Sequence, residues 1–185
     1  MKKYIGIFIS VFLLVIVGNS IYTQINKKPI SAKAKRLPCQ KITTSFEKAF
    51  DKDGIKKGQL QLEAGNFKFT SYVEKSIYMK SRLFKYVKLS QMDAVTLKEL
   101  QKYKINDIQT QDKLRVLYYI YENDKSNPGK KTKKSKIYEG YVVFKFFNIN
   151  NKLIYQAQID FMNNKGSDIP QKIKCAIKSF ATYNK

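Results

Sequence analysis

Residues 137–161 read IYEGYVVFKFFNINNKLIYQAQIDF, and the rest of the chain arranges itself around how this stretch is read. Ile137 to Phe147 is rich in valine and aromatic residues, the side chains that fit a pleated, half-buried surface. Asn150-Asn151 suits a tight two-residue turn, because asparagine tolerates a positive φ. Beyond it Leu153, Tyr155, Ala157, Ile159 and Phe161 alternate with Ile154, Gln156, Gln158 and Asp160. Period two over nine residues predicts a strand with one apolar face for a core and one largely polar face for solvent. The stretch is therefore an antiparallel hairpin.

Upstream, residues 113–122, KLRVLYYIYE, have the length and composition of a central strand. Between that strand and the hairpin, Asn127-Pro128-Gly129 signals a turn. The same loop carries Lys125, Lys130, Lys131, Lys133, Lys134 and Lys136 against the single acid Asp124. A plain solvated connection is one reading of it. The functional reading is a flexible electrostatic contact for an anionic surface, with Lys130, Lys131, Lys133 and Lys134 as the candidate residues. Lysine suits that role because its compact charge needs no fixed partner geometry.

Downstream, Asp168-Ile169-Pro170 has the acid and proline expected at a helix start. Ile173, Ala176, Ile177 and Phe180 follow at i, i+3, i+4 and i+7 and form its core stripe. Cys175 points away from that stripe, which places it to meet a passing segment. The other cysteine is Cys39. A Cys39–Cys175 disulfide is therefore expected if the domain resides in an oxidising compartment; two independent buried thiols are the alternative.

Toward the amino terminus, Thr44 and Glu47 have the spacing of a capping box and predict a short helix to about Lys52, ended by Gly54. Asp51-Lys52-Asp53-Gly54 fails as a calcium loop, because the EF-hand register would put Ala49 and Leu60 at ligand positions. Leu60 and Leu62 alternate with Gln59, Gln61 and Glu63, Ala64-Gly65-Asn66 turns, and Phe67, Phe69, Ser71 and Val73 share a face: a second hairpin. Ile77, Met79, Leu83, Val87 and Leu89 continue the alternation as a third strand. Ser90 then opens a helix from Gln91 to Tyr103 with Met92, Val95, Leu100 and Tyr103 inward and Leu97 off the stripe. The sum is α+β, one antiparallel sheet with helices packed on one face. That order is compatible with a curved sheet wrapped on helices, as in cystatin-like or nuclear-transport-factor-like folds, an analogy of architecture that carries no function.

The chain opens differently. From Tyr4 to Val17 the only polar side chain is Ser10, and Lys2 and Lys3 stand before it. Counted to Tyr22 the segment reaches the roughly 20 residues a spanning helix needs. We read residues 1–22 as a transmembrane signal-anchor, with a signal peptide cleaved after Ser20 as the alternative and a secreted product as its consequence. Residues 23–41, with Pro29, Pro38 and several lysines, read as a basic linker, and residues 42–185 as the globular domain. The positive-inside rule counted on Lys27, Lys28, Lys33, Lys35 and Arg36 would keep the carboxyl side cytoplasmic. The short basic start before an apolar core argues for export, and export of the domain is the expectation.

The full chain has 185 residues, 36 Lys+Arg against 14 Asp+Glu, a formal net charge of +22, and no histidine. Such an excess attracts an acidic protein, anionic lipid or acidic polymer. Arginine is limited to Arg36, Arg82 and Arg115, which argues against sequence-specific reading of nucleic acid. Without histidine there is no Ser-His-Asp or Cys-His arrangement, and neither a phosphate loop nor a dinucleotide fingerprint is present. No metal or cofactor motif stands out. A Ser-Lys hydrolase, with Ser76 as nucleophile, has no surrounding motif. The expectation is a membrane-tethered, extracytoplasmic, non-catalytic binding or assembly module. The alternative is a cytoplasm-facing basic module for nucleic acid or anionic lipid.

Overall fold

The computed structural model describes residues 36–105 and 108–184. The apolar segment 4–22 and the linker up to residue 35 lie outside them. No helix among the described residues is long and apolar enough to cross a membrane.

The hairpin that anchored the sequence reading is present as β4 (Gly140–Phe147) and β5 (Leu153–Phe161). Asn151 adopts φ 57°, and Asn148 Oδ1 accepts the N–H groups of Asn150 and Lys152, each at 3.0 Å. One detail departs from strict alternation. Phe146 pairs with Tyr155 and Phe147 with Leu153, so Ile154 is an extra residue in the ladder. This bulge turns Ile154 into the core and Leu153 to the other face.

The strands β1 (Ser45–Ala49), β2 (Phe67–Glu74) and β3 (Leu114–Glu122) complete a five-stranded sheet in the order β1-β5-β4-β3-β2. The sheet is mixed rather than antiparallel throughout, because β2 and β3 pair in parallel. A parallel pair needs a crossover, and the chain supplies one between Lys75 and Lys113.

The expected third strand, Ile77 to Leu89, is absent from that crossover. Ile77 is 87% exposed, and the stretch holds only a 3-10 turn at Leu83–Lys85. Its backbone donors are taken by side chains from the end of β3 instead of by a neighbouring strand. Helix α3 (Leu89–Gln101) then follows, starting slightly before the expected position with Lys88 at its N-cap. Met92, Thr96, Glu99 and Leu100 are buried, and Leu97 is exposed as expected.

The amino-terminal half of the domain differs most. Ser45–Ala49 is a strand paired to β5, and Glu47 accepts a hydrogen bond from Gln40 rather than closing a capping box. The helix begins later: Asp51 Oδ1 accepts the Gly54 N–H at 2.9 Å and caps α2 (Lys52–Glu63). The Leu60/Leu62 strand is therefore corrected to helix, with Leu62 buried and Leu60 49% exposed. Gly58 lies inside the helix where it crosses the sheet; a Cβ there would stand 3.0 Å from Ile154 Cδ1 and 3.1 Å from Phe180. Close approach is what this glycine provides, and Gly54, expected to end a helix, instead lies in the first turn of this one. The helix ends at Gly65, φ 69°, where Gly65 N–H bonds Leu62 O and Asn66 N–H bonds Gln61 O, each at 2.9 Å.

Helix α4 (Ile169–Ala181) forms with Pro170 in its first turn. The Asp168 carboxylate accepts from Met162 N and Asn163 N, so it closes the preceding turn rather than capping the helix. Ile173, Ala176, Ile177 and Phe180 are fully buried. The Phe180 ring stacks on Phe146 at 3.9 Å, Tyr155 OH meets Ser179 Oγ at 2.6 Å, and Tyr118 OH donates to Asp93 on α3. These contacts put α2, α3 and α4 on one face of the sheet, over Tyr155, Phe146, Tyr118 and Leu114. Gln59 Nε2 donates to the carbonyls of Phe180 at 2.8 Å and Tyr183 at 3.0 Å, satisfying acceptors that a helix end leaves open.

Cys175 is only 3% exposed although it lies off the apolar stripe. A helical turn, α1 (Pro38–Lys41), covers it from within the stretch read as linker. The Cys39–Cys175 disulfide is present, with Cα atoms 6.0 Å apart across a sequence separation of 136. Next to it, Gln40 Nε2 donates to Ser179 Oγ at 3.1 Å.

Candidate functional site

Strand β3 ends in Glu122, and Asn123 and Asp124 follow it; all three are at most 3% exposed. Three consecutive buried polar residues need partners, and they find them in two long loops. Glu122 Oε1 accepts Arg82 N at 2.8 Å and Leu83 N at 2.9 Å, and its Oε2 accepts Ser76 N at 3.3 Å. Asp124 Oδ2 accepts Ile77 N at 2.7 Å and Tyr78 N at 2.6 Å. Asn123 Nδ2 donates the other way, to Ser135 O at 3.0 Å and Tyr138 O at 2.8 Å. The acids thus hold the loop after β2, and the amide between them holds the loop before β4.

Burial by itself pushes the Glu122 carboxyl up. The N–H groups of Leu83, Arg82 and Ser76 and the Ser81 hydroxyl outweigh it, and the net shift is below the usual carboxylate value. The charged form is the one the loop binds.

Between these loops and the turn after β5 lies a pocket of about 740 Å³. Lys80, Arg82, Lys85, Lys125 and Lys165 contribute to its walls, with Glu122 and Glu139 as the acids. Lys125 is paired with Glu139, and Lys165 Nζ sits 5.7 Å from the Tyr86 ring. Leu83 is buried beneath, and the side chains of Lys80, Arg82, Lys85 and Lys165 are exposed.

The four loop lysines singled out from sequence divide. Lys130 is half-buried: its Nζ lies 3.2 Å from Tyr121 OH, donates to Asn123 Oδ1 and sits 5.2 Å from the Tyr121 ring. Lys131, Lys133 and Lys134 are exposed. Their loop is tied down at Ser135, whose hydroxyl donates to Thr132 O at 2.7 Å, and by a 3-10 turn at Lys134–Lys136. Lys130, Lys131, Lys133 and Lys134 are not among the pocket walls; their loop contributes Lys125 and Ser126 to them.

Ser76 is engaged as well. Its Oγ lies 3.0 Å from Met79 O and 3.1 Å from Glu122 Oε2, and the single hydroxyl proton serves one acceptor at a time. This serine fixes the loop.

The face of the sheet opposite the helices carries paired rings. Tyr72 stacks on Tyr119 at 4.9 Å and Tyr121 on Tyr141 at 4.4 Å. The Arg115 guanidinium lies 3.8 Å above Phe147, and Lys145 Nζ is 5.8 Å from Tyr119. Burial, with Glu74 and Tyr72 adding to it, pushes the Tyr119 phenol up to about 12. Rings and cations here occupy one another, so the concave basic end is the better candidate for an external ligand.

Sequence reasoning missed Lys80, Arg82, Lys85 and Lys165 as a group. The period-two pattern from Ile77 to Leu89 predicts a strand, which would spread their cations along an edge. The Glu122-Asn123-Asp124 run at a strand end was the available signal. No protein-family model, curated protein or solved structure matches this chain.

Proposed function

We propose that the chain is a membrane-tethered, extracytoplasmic, non-catalytic binding or assembly module that engages an anionic partner through its basic end. The observation that carries this reading is the Cys39–Cys175 disulfide, which joins the first described helix to the last. Disulfides of this structural kind persist in oxidising compartments and are rare in a reducing cytosol. The apolar segment 4–22 supplies the tether in this reading, and the excess of Lys and Arg in the sequence favours an anionic partner. The absence of histidine in the sequence and the use of Ser76 to hold a loop support a binding role over a catalytic one.

A reporter fused after Lys185 tests the location. Activity only on the outer side of the membrane is expected, with the full chain resisting high-salt and alkaline extraction. Amino-terminal sequencing that began at Ile21 would replace the tether by a cleaved signal. A cytoplasmic reporter together with free thiols at Cys39 and Cys175 would overturn the reading.

A further inference from the structure

We infer that the pocket between the Lys75–Lys88 loop, Lys125 and Lys165 is a binding site for a phosphoryl group carrying about two negative charges, as a phosphate monoester does, whether on a soluble molecule or as the headgroup of phosphatidic acid. The inference deepens the anionic-partner reading above by naming its chemistry and place, yet it does not depend on which side of the membrane the domain occupies.

Charge comes first. Five cations line the pocket against two carboxylates, an excess of three. Counting Asp124, which holds the same loop, leaves two uncompensated positive charges. Lys125 and Glu139 satisfy each other, so the excess falls on Lys80, Arg82, Lys85 and Lys165. Bringing like charges to one concavity costs Coulomb energy, which a bound anion removes.

Construction is the second argument. Glu122 bonds inward, to Ser76, Arg82 and Leu83, so its oxygens serve the loop backbone rather than a ligand. Its bonds to Arg82 N and Leu83 N fix the backbone that carries Lys80, Arg82 and Lys85. On the other wall, Lys165 is carried by a turn in which Asn163 Oδ1 accepts Lys165 N at 2.9 Å, and Gly166 is buried against Val87. Backbones set by these bonds present flexible cationic tips, the arrangement that suits a tetrahedral dianion with no single required direction. The volume of about 740 Å³ exceeds what one phosphate needs and falls within the roughly 300–1,000 Å³ of small-ligand pockets. The phosphoryl group is therefore one end of a larger ligand.

The test uses the full-length chain in a non-ionic detergent at low salt, with inorganic pyrophosphate as probe and calorimetry as readout. The pocket variant combines Lys80→Gln, Arg82→Gln and Lys165→Gln; the control combines Lys131→Gln, Lys133→Gln and Lys134→Gln. Each removes three positive charges, so the pair separates a local site from the overall field. Expected is saturable binding by the parent, at least tenfold weaker in the pocket variant and within about twofold in the control. All six side chains are exposed, and unchanged melting temperatures verify folding. A second arm adds phosphatidic acid or phosphatidylcholine dispersed in the same detergent. Displacement of pyrophosphate by phosphatidic acid but not by phosphatidylcholine assigns the pocket to a headgroup, and pyrophosphate binding indifferent to both lipids assigns it to a soluble phosphorylated ligand. Absence of pyrophosphate binding by the parent, or equal losses in both variants, overturns the inference. The location reading would survive that result, as this inference would survive a cytoplasmic reporter.

Discussion

Replacing Cys39 and Cys175 by alanine removes a cross-link that spans 136 residues of sequence. In the chain-entropy treatment, a loop that long restricts the unfolded ensemble by about 5 kcal/mol at 25 °C. The folded chain gives back little, because the segment behind Cys39 is held independently. Thr43 Oγ1 donates to Asp160 O at 2.7 Å, and β1 pairs with β5 from Ser45↔Ile159 to Ala49↔Tyr155. The loss should therefore appear as a lower global stability rather than as fraying of one end. A domain of about 150 residues shifts its melting temperature by about 2–4 °C per kcal/mol, so the expected fall is about 10–20 °C. Near-UV circular dichroism of the parent, the double variant and the reduced parent measures it, with thiol titration confirming the redox state. The reduced parent should match the variant. A fall under about 3 °C in a single cooperative transition would refute the entropic argument. A biphasic melt would instead show that α1 and β1 detach as a unit.

At pH 7, Glu122→Gln should lower unfolding free energy by about 1–3 kcal/mol, since it weakens charged acceptors for buried N–H groups. The Glu122 carboxyl sits below its usual value in the fold. Its stabilisation is thus present above the unfolded pKa of about 4.3 and lost as pH falls through the lower folded value. Denaturant titrations should show the parent–variant gap closing on the acid side, and a gap independent of pH would count against the charge. Gly58→Leu should destabilise by about 1–3 kcal/mol or more, because the added atoms enter the space of Ile154, Leu114 and Phe180; a neutral result in chemical denaturation would contradict the helix placement. Replacing Lys131, Lys133 and Lys134 by glutamine should leave the melting temperature unchanged while weakening binding to anionic vesicles by about 1 kcal/mol per lysine, less as salt rises. Parent-like binding at low salt would leave that loop as a solvated connection.

The parts of the fold legible in the sequence are those where local pattern and tertiary environment agree. Tyr155–Phe161 alternates because one face packs under α4, and Leu114–Glu122 is apolar because β3 lies inside the sheet. Ile173 to Phe180 repeats at helical spacing for the same reason. The stretch from Thr44 to Glu63 misleads because two periods fit it. Leu60 and Leu62 alternate with glutamines, yet Ile55 and Leu62 are the positions that enter the core, and Gln59 is buried to cap another helix. A buried glutamine looks like a solvent-facing one until its distant acceptor is known. Gly54 misleads in the same sense: it lies in the first turn of α2, where a Cβ would stand 2.7 Å from Ile154 Cγ2, and a glycine that ends a helix and one that lets it approach a sheet are the same letter.

The candidate site was illegible for a related reason. Lysines are frequent along the whole chain, so no spacing of them marks a cluster. What makes Lys80, Arg82 and Lys85 a wall is the conformation of the backbone between Ser76 and Leu83, and that backbone is set from outside. Its donors reach Glu122 and Asp124, about forty positions later in sequence. Without those acids the Ile77–Leu89 alternation would be free to extend, and the cations would lie along an edge facing solvent. The residues that define the pocket are therefore two of the few acids in a basic chain. They act on backbone N–H groups rather than on the lysines they organise, and for that reason a search for charge pairs passes over them.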